Sequence, residues 1–254
     1  MAKLFIPGPI DVSKETFAAM SQPMIGHRGA EFEALYASTQ PVLKKLAGTS
    51  RPVFLSTSSA WGVMEAALRN LCAKKVLTLC CGAFSDKWFD VANKMGIAAE
   101  KIQVEWGEAI SPDAVRAKLE EGGFDLVTLI HNETSTGVTS DIAAVRRAMD
   151  SAKHPALLLV DTISGLASAD YRHDEWGVDV TISGSQKGLM LPPGISFNAL
   201  SPRAIEVSQR GGMARSYWAW GEMIEMNKNG YWPSTPNTNL LYGLSESCDM
   251  LLAQ

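Results

Sequence analysis

The sequence predicts an α/β fold: three layers, α/β/α, around a mostly parallel sheet. Two observations carry this. Short apolar runs of strand length alternate with stretches of helical periodicity through most of the chain. Strands separated by helices are joined by crossovers, so they lie parallel and are covered on both faces. A third observation sets the scale: 254 residues suffice for one to two domains with a large core.

The elements follow in order. Val53–Leu55 reads as a first buried strand and Trp61–Leu71 as a helix. Val76–Leu79 is a second strand, followed by a helix over Ser85–Met95. Pro112–Glu121 is helical, with Ser111 as N-cap and Pro112 in the first turn. Leu126–Ile130, Ala156–Val160 and Val180–Ile182 are further strands, the first two separated by a helix over Ile142–Ala152. The pattern changes near Arg210, where Gly211 and Gly212 precede an aromatic segment (Tyr217, Trp218, Trp220) and a turn-rich stretch, Gly230–Pro236. A last helix covers Asn237–Ala253, with Leu240, Leu241, Leu244, Met250 and Leu251 as its apolar positions.

Composition narrows the class. With 46% hydrophobic and 20% charged residues, disorder, collagen and coiled coil are excluded. A net charge of −4 with mixed signs argues against a nucleic-acid partner. No apolar stretch approaches the roughly 20 residues that span a bilayer, and Pro7, Gly8 and Pro9 sit where a secretory signal would need an apolar core. Cys72, Cys80, Cys81 and Cys248 form no CxxC pair, and the histidines form no HExxH, so no metal is expected. Reduced, buried thiols and a cytoplasmic location are the expectation.

Ligands of parallel sheets bind at the carboxyl ends of the strands, and the residues there are chemically loaded. Asp161 directly follows Leu157–Val160; it is either a turn cap or a carboxylate facing a cationic ligand group. Lys187 sits between small residues and the apolar Leu189–Pro193. A lysine there is desolvated and nucleophilic, unless its stem snorkels to water. Ser56–Ala60, between a strand and a helix, offers hydroxyls and free N–H groups suited to a phosphate, or plain N-capping. It is neither a P-loop nor a dinucleotide fingerprint. His131–Gly137 is denser in polar groups than a simple turn requires, and Phe84 ends the second strand, where it either stacks on a flat ligand or packs in the core. An anion cradle, an aromatic plate, a carboxylate and a desolvated lysine match what pyridoxal phosphate needs.

Specific motifs then appear in order along nearly the whole chain: Pro7–Pro9, Gly26–Arg28, His131–Thr134 with Thr136–Thr139, and Lys153–Asp161 (KHPALLLVD). Asp174–Val180, Ser183–Leu189 (SGSQKGL) with Pro192–Gly194, and Tyr231–Pro233 with Thr235-Pro236 complete the set. On these residues the chain resembles the class V aminotransferases, fold-type I pyridoxal-phosphate enzymes, and most of all the serine–glyoxylate and alanine–glyoxylate aminotransferases. The resemblance implies the large domain of that fold, with residues 1–20 as an N-terminal arm and 21–254 as the cofactor domain. It implies Lys187 as the Schiff-base lysine and proton carrier, and Asp161 as partner of the pyridine nitrogen. Ile163 and Phe84 would cover the two ring faces, and Thr134 would bond the phenolic oxygen. Ser59, Ala60, Trp61 and Gln186 match the phosphate site, although relatives carry Gly at position 60 and a small polar residue or His at 61. Tyr231 and Thr235 match residues that reach the phosphate of a neighbouring subunit, which implies a homodimer with shared sites.

Family members run on well past the length of this chain, into a small C-terminal domain bearing the arginine that holds the substrate carboxylate. That domain is expected to be missing here, with His27 and Arg28 as candidates for partial compensation. The expected activity is transfer of an amino group from serine or alanine to glyoxylate, giving glycine; the substrates are thus amino acids and 2-oxo acids. The alternatives are a lyase or desulfurase on the same fold and a non-catalytic cofactor-binding or dimerisation fragment. Gln186 and the helical setting of Cys248 speak against a desulfurase. A peroxisomal location stays open if the source is eukaryotic.

Overall fold

The structure is a computed structural model and describes residues 3–253. Its centre is a seven-stranded sheet: β1 (Val53–Ser56), β2 (Lys75–Cys80), β3 (Ala98–Gln103), β4 (Leu126–Ile130), β5 (Leu157–Asp161), β6 (Val180–Gly184) and β7 (Ser196–Leu200). The strand order is β1-β7-β6-β5-β4-β2-β3. Neighbours from β6 to β3 run parallel; β7 is antiparallel to both β6 and β1. The chain steps from β2 outward to β3, then returns across β2 to β4 and continues the other way. The reversal lies between β2 and β4, the point at which such sheets open a crevice at their carboxyl edge.

Alternation along the strands builds the layers. Leu77 and Leu79 of β2, Val127 and Leu129 of β4, and Leu158 and Val160 of β5 belong to one core. Their neighbours Val76, Leu126 and Leu157 belong to the other. The first core is closed by α2 (Ala30–Ala47), α5 (Pro112–Glu120), α6 (Ile142–Ser151) and α9 (Thr238–Leu252). The second is closed by α3 (Ala60–Leu71), α4 (Ala83–Lys94), α7 (Pro202–Gln209) and α8 (Trp220–Lys228). Strands covered on both faces are mostly apolar: β5 runs Leu157–Val160 without a break, and in β2 and β4 only the buried Thr78 and Thr128 interrupt Val76–Cys80 and Leu126–Ile130. The three-layer α/β/α expectation therefore holds.

Two strands carry no such signal. In β3 the residues are Ala98–Gln103 (AAEKIQ), and most are exposed or half-exposed at the sheet edge. In β7 the buried Ser196 and Asn198 interrupt the apolar pattern. The first helix, α1 (Lys14–Met20), docks on α9: Asn239 donates to the Met20 carbonyl at 2.7 Å, and Thr16 is buried. Asp179, almost fully buried, fastens the amino edge of the sheet. It accepts bonds from the Leu158 N–H at 2.8 Å, the Ser201 hydroxyl at 2.9 Å and the Arg203 guanidinium at 3.1 Å. All four cysteines are buried and unpaired, and no helix among the described residues is long and apolar enough to cross a membrane.

Candidate active site

A cavity of about 530 Å³ opens at the carboxyl ends of β2, β4, β5 and β6. Asp161 is the last residue of β5 and is only 5% exposed. Its carboxylate accepts the Trp88 indole N–H at 3.0 Å and the Ile163 N–H at 2.9 Å. Burial pushes its pKa up to about 6, against the lowering pull of those two bonds and of Lys187.

Lys187 follows β6 in a tight turn whose next apolar residues, Leu189 and Leu191, are buried in the core. The turn closes through a bond from the Met190 N–H to the Lys187 carbonyl at 2.8 Å. The lysine stem is therefore pinned while its amine reaches the cavity. Nζ donates to the Ser164 hydroxyl at 2.9 Å and to the Thr134 hydroxyl at 3.4 Å, and lies 5.5 Å from the centre of the Phe84 ring. Burial lowers its pKa, while Asp161 and Glu133 pull the other way. On the open side the N-terminal segment closes in. A Cβ on Gly8 would lie 2.8 Å from the lysine Cγ, so only glycine lets the backbone approach this closely.

The anion cradle is the N-terminus of α3. Ser59 gives that helix no side-chain cap, unlike Ser111, Asp141, Ser201 and Asn237 at the starts of α5, α6, α7 and α9. The Gly62 N–H bonds the Ser59 carbonyl at 2.9 Å, while the Ala60 and Trp61 N–H groups keep their donor capacity at the cavity wall. Ser59, Ala60, Trp61 and Gln186 all line the cavity there. Phe84 and Ile163 contribute apolar surface, and Phe84 is 49% exposed, an unfilled ring face rather than a core contact. A dianionic group at the α3 terminus, a flat ring beside Phe84 and a carbonyl within reach of Nζ suit this one cavity, and its volume is in the range that small-molecule cofactor sites use.

Nine of the eleven predicted site residues thus share one cavity: Ser59, Ala60, Trp61, Phe84, Thr134, Asp161, Ile163, Gln186 and Lys187. Tyr231 and Thr235 do not line it. The Tyr231 hydroxyl instead donates to Glu33 of α2, and Thr235 is exposed. His27 and Arg28 lie in a separate open depression.

Three contributors escaped the sequence reading. Ser164 meets the lysine amine. Lys87 lines the cavity with its ammonium 4.4 Å over the Trp61 ring. Glu133, fully buried, caps α4 from outside: it accepts the Ser85 N–H at 2.9 Å, the Ser85 hydroxyl at 3.0 Å and the Ser135 hydroxyl at 2.8 Å. These bonds hold the carboxylate below the usual range despite its burial, and they hold Phe84 in place. The only sequence signal for Glu133 was an acid inside the dense polar stretch after β4.

Residues 12–254 match the family model described as Aminotransferase class-V. The chain is 41% identical to the L-aspartate–glyoxylate aminotransferase of Paracoccus denitrificans, over 99% of this chain and 65% of that protein. It is 40% identical to the serine–glyoxylate aminotransferase of Hyphomicrobium methylovorum, over 99% of this chain and 64% of that one. Among solved structures, a subgroup IV aspartate aminotransferase from Thermus thermophilus superimposes with a TM-score of 0.90 at 30% identity, covering 99% of this chain and 71% of that one. An alanine–glyoxylate aminotransferase from Nostoc gives 0.90 at 31% identity, covering 96% and 66%. The chain spans about 65% of the length of the curated relatives it matches.

Proposed function

As the chain belongs to the class V aminotransferase family, we propose that it carries the cofactor half of a pyridoxal-phosphate-dependent transaminase, moving an amino group from serine or alanine to glyoxylate to give glycine. The observation that supports this most is the meeting of Lys187 and Asp161 in one cavity beside an uncapped helix N-terminus. Bound there, pyridoxal phosphate supplies an aldehyde carbon and an electron-withdrawing ring. The α3 N–H groups, Ser59 and Gln186 hold the phosphate. Phe84 and Ile163 would offer the ring its apolar contacts, and Thr134 would be the hydroxyl for its phenolic oxygen. Asp161 keeps a proton on the ring nitrogen; the cost of burying its carboxylate alone is what a cationic neighbour relieves. Lys187 would provide the attaching amine and the group that moves a proton at the substrate carbon. Its lowered pKa suits both tasks.

The same reading makes residues 21–254 the large domain and 1–20 its arm. It places Tyr231 and Thr235 at the cavity of a second copy, in a homodimer working in the cytoplasm. A desulfurase reading fares worse. Cys248 is buried in α9 with its thiol pushed up to about 12 by desolvation, so it is not a mobile thiolate. The test is spectroscopic. Protein loaded with pyridoxal phosphate should show a visible band that bleaches with serine or alanine and returns with glyoxylate. A band that never responds to an amino donor leaves the binding-fragment alternative, and sulfide release from cysteine revives the desulfurase.

A further inference from the structure

Ser164 stands outside the residues that the family motifs mark, yet its hydroxyl is the closer of the two that meet the Lys187 amine, at 2.9 Å against 3.4 Å for Thr134. The Ser164 and Thr134 hydroxyls are also bonded to each other. Both partners are rigidly mounted. Ser164 lies in a turn closed by the Gly165 and Leu166 N–H groups on the Thr162 carbonyl, at 3.0 and 2.8 Å. Thr162 is itself bonded to the Ile182 carbonyl of β6 at 2.9 Å. The lysine segment rests on that turn: a Cβ on Gly188 would lie 2.2 Å from the Leu166 carbonyl oxygen, so nothing larger than glycine fits between them.

The Lys187 ammonium has three protons and donates to both hydroxyls, so one hydroxyl proton closes the bond between Ser164 and Thr134 and the other is left for the cavity. We propose that Ser164 is a positioning residue that anchors the amine of Lys187 whenever it is free and holds the Thr134 hydroxyl beside it. This rests on the reading of Lys187 as the cofactor-attaching amine. In that reading the amine would be free during part of each turnover. It must then stay beside the reacting carbon rather than swing on its flexible stem. A hydroxyl that accepts its hydrogen bond on a rigid turn does this. It also favours the charged amine, because a bond from an ammonium is stronger than one from a neutral amine.

The test uses the protein without cofactor. Competitive labelling with acetic anhydride across pH, read on the Lys187 peptide by mass spectrometry, gives the titration midpoint of that one amine. Ser164→Ala and the near-isosteric Ser164→Cys, a poor acceptor, should both lower the midpoint by about one pH unit. Ser164→Thr should leave it in place. Were Ser164→Ala to unfold the turn, its midpoint would climb towards that of free lysine, and the Cys variant decides. An unchanged midpoint in the folded Ala and Cys variants overturns the proposal. A failure of the cofactor reading would show separately, as absence of a visible band when wild-type protein meets pyridoxal phosphate.

Discussion

Trp88, buried in α4, donates its indole N–H to the Asp161 carboxylate at the end of β5, 3.0 Å away. The bond spans the layer between helix and sheet and holds the acid in its ionised form against a desolvation that raises its pKa to about 6. Trp88→Phe removes the bond and keeps the apolar bulk. The carboxylate then protonates at a higher pH. Pyridoxal-phosphate affinity is expected to fall in the wild type as pH drops through the Asp161 pKa of about 6, and to begin falling at a higher pH in the variant. Titrating the dissociation constant across pH 5–9 checks this.

Asp161 also stores instability. Its folded pKa, about 6, lies above its ordinary value of 3.8, so the folded protein binds the proton more tightly than the unfolded chain. Its contribution to stability is therefore fully present below 3.8 and is lost as pH rises through about 6. At pH 7–8 Asp161→Asn should stabilise the cofactor-free protein by about 1–3 kcal/mol while abolishing cofactor function. Denaturant melts of the two proteins at pH 7.5 and pH 4 measure it, and the gap should shrink at the lower pH.

His173 behaves oppositely. It is buried, with Nδ1 2.7 Å from the Thr181 hydroxyl, and burial lowers its pKa from 6.5 to about 4. The unfolded chain takes up the proton first, so stability is full above 6.5 and is lost as pH falls towards 4. The loss amounts to about 3 kcal/mol, and it offsets the gain from Asp161 over the same range. His173→Gln should therefore lose less stability than the wild type between pH 7 and pH 4.5, read as the difference in denaturation midpoints.

Glu133→Ala leaves the first-turn N–H groups of α4 without their acceptor. Orphaned buried donors cost roughly 1–3 kcal/mol, and Phe84 loses the anchor at its own N–H, 3.3 Å from Glu133. Thermal melting should show the destabilisation. Weaker pyridoxal-phosphate binding should accompany it even at temperatures where the variant is fully folded.

The legible parts of this molecule are those where chemistry and hydrophobic pattern touch. Asp161 and Lys187 could be picked out because each is a charged group abutting residues that will be buried, and such a group needs a reason. The strands β2, β4, β5 and β6 were visible because both of their faces are covered. Elements without that contrast were not. β3 is a half-exposed edge, β7 buries Ser196 and Asn198 within its run, and α2 carries Pro41 in its interior. Ser164 and Glu133 look like ordinary turn and cap residues in one dimension. Their importance arises only when the turns after β4 and β5 and the start of α4 are brought side by side, a non-local fact that no window of sequence contains.

Lys187 is the amine we propose is presented to the cofactor. Incubation with pyridoxal phosphate, reduction with borohydride and peptide mapping test it most directly. One cofactor mass per chain is expected, on the peptide bearing Lys187, and none on that peptide in Lys187→Ala. Label confined to Lys87 or another lysine, or equal labelling of the alanine variant, would contradict it.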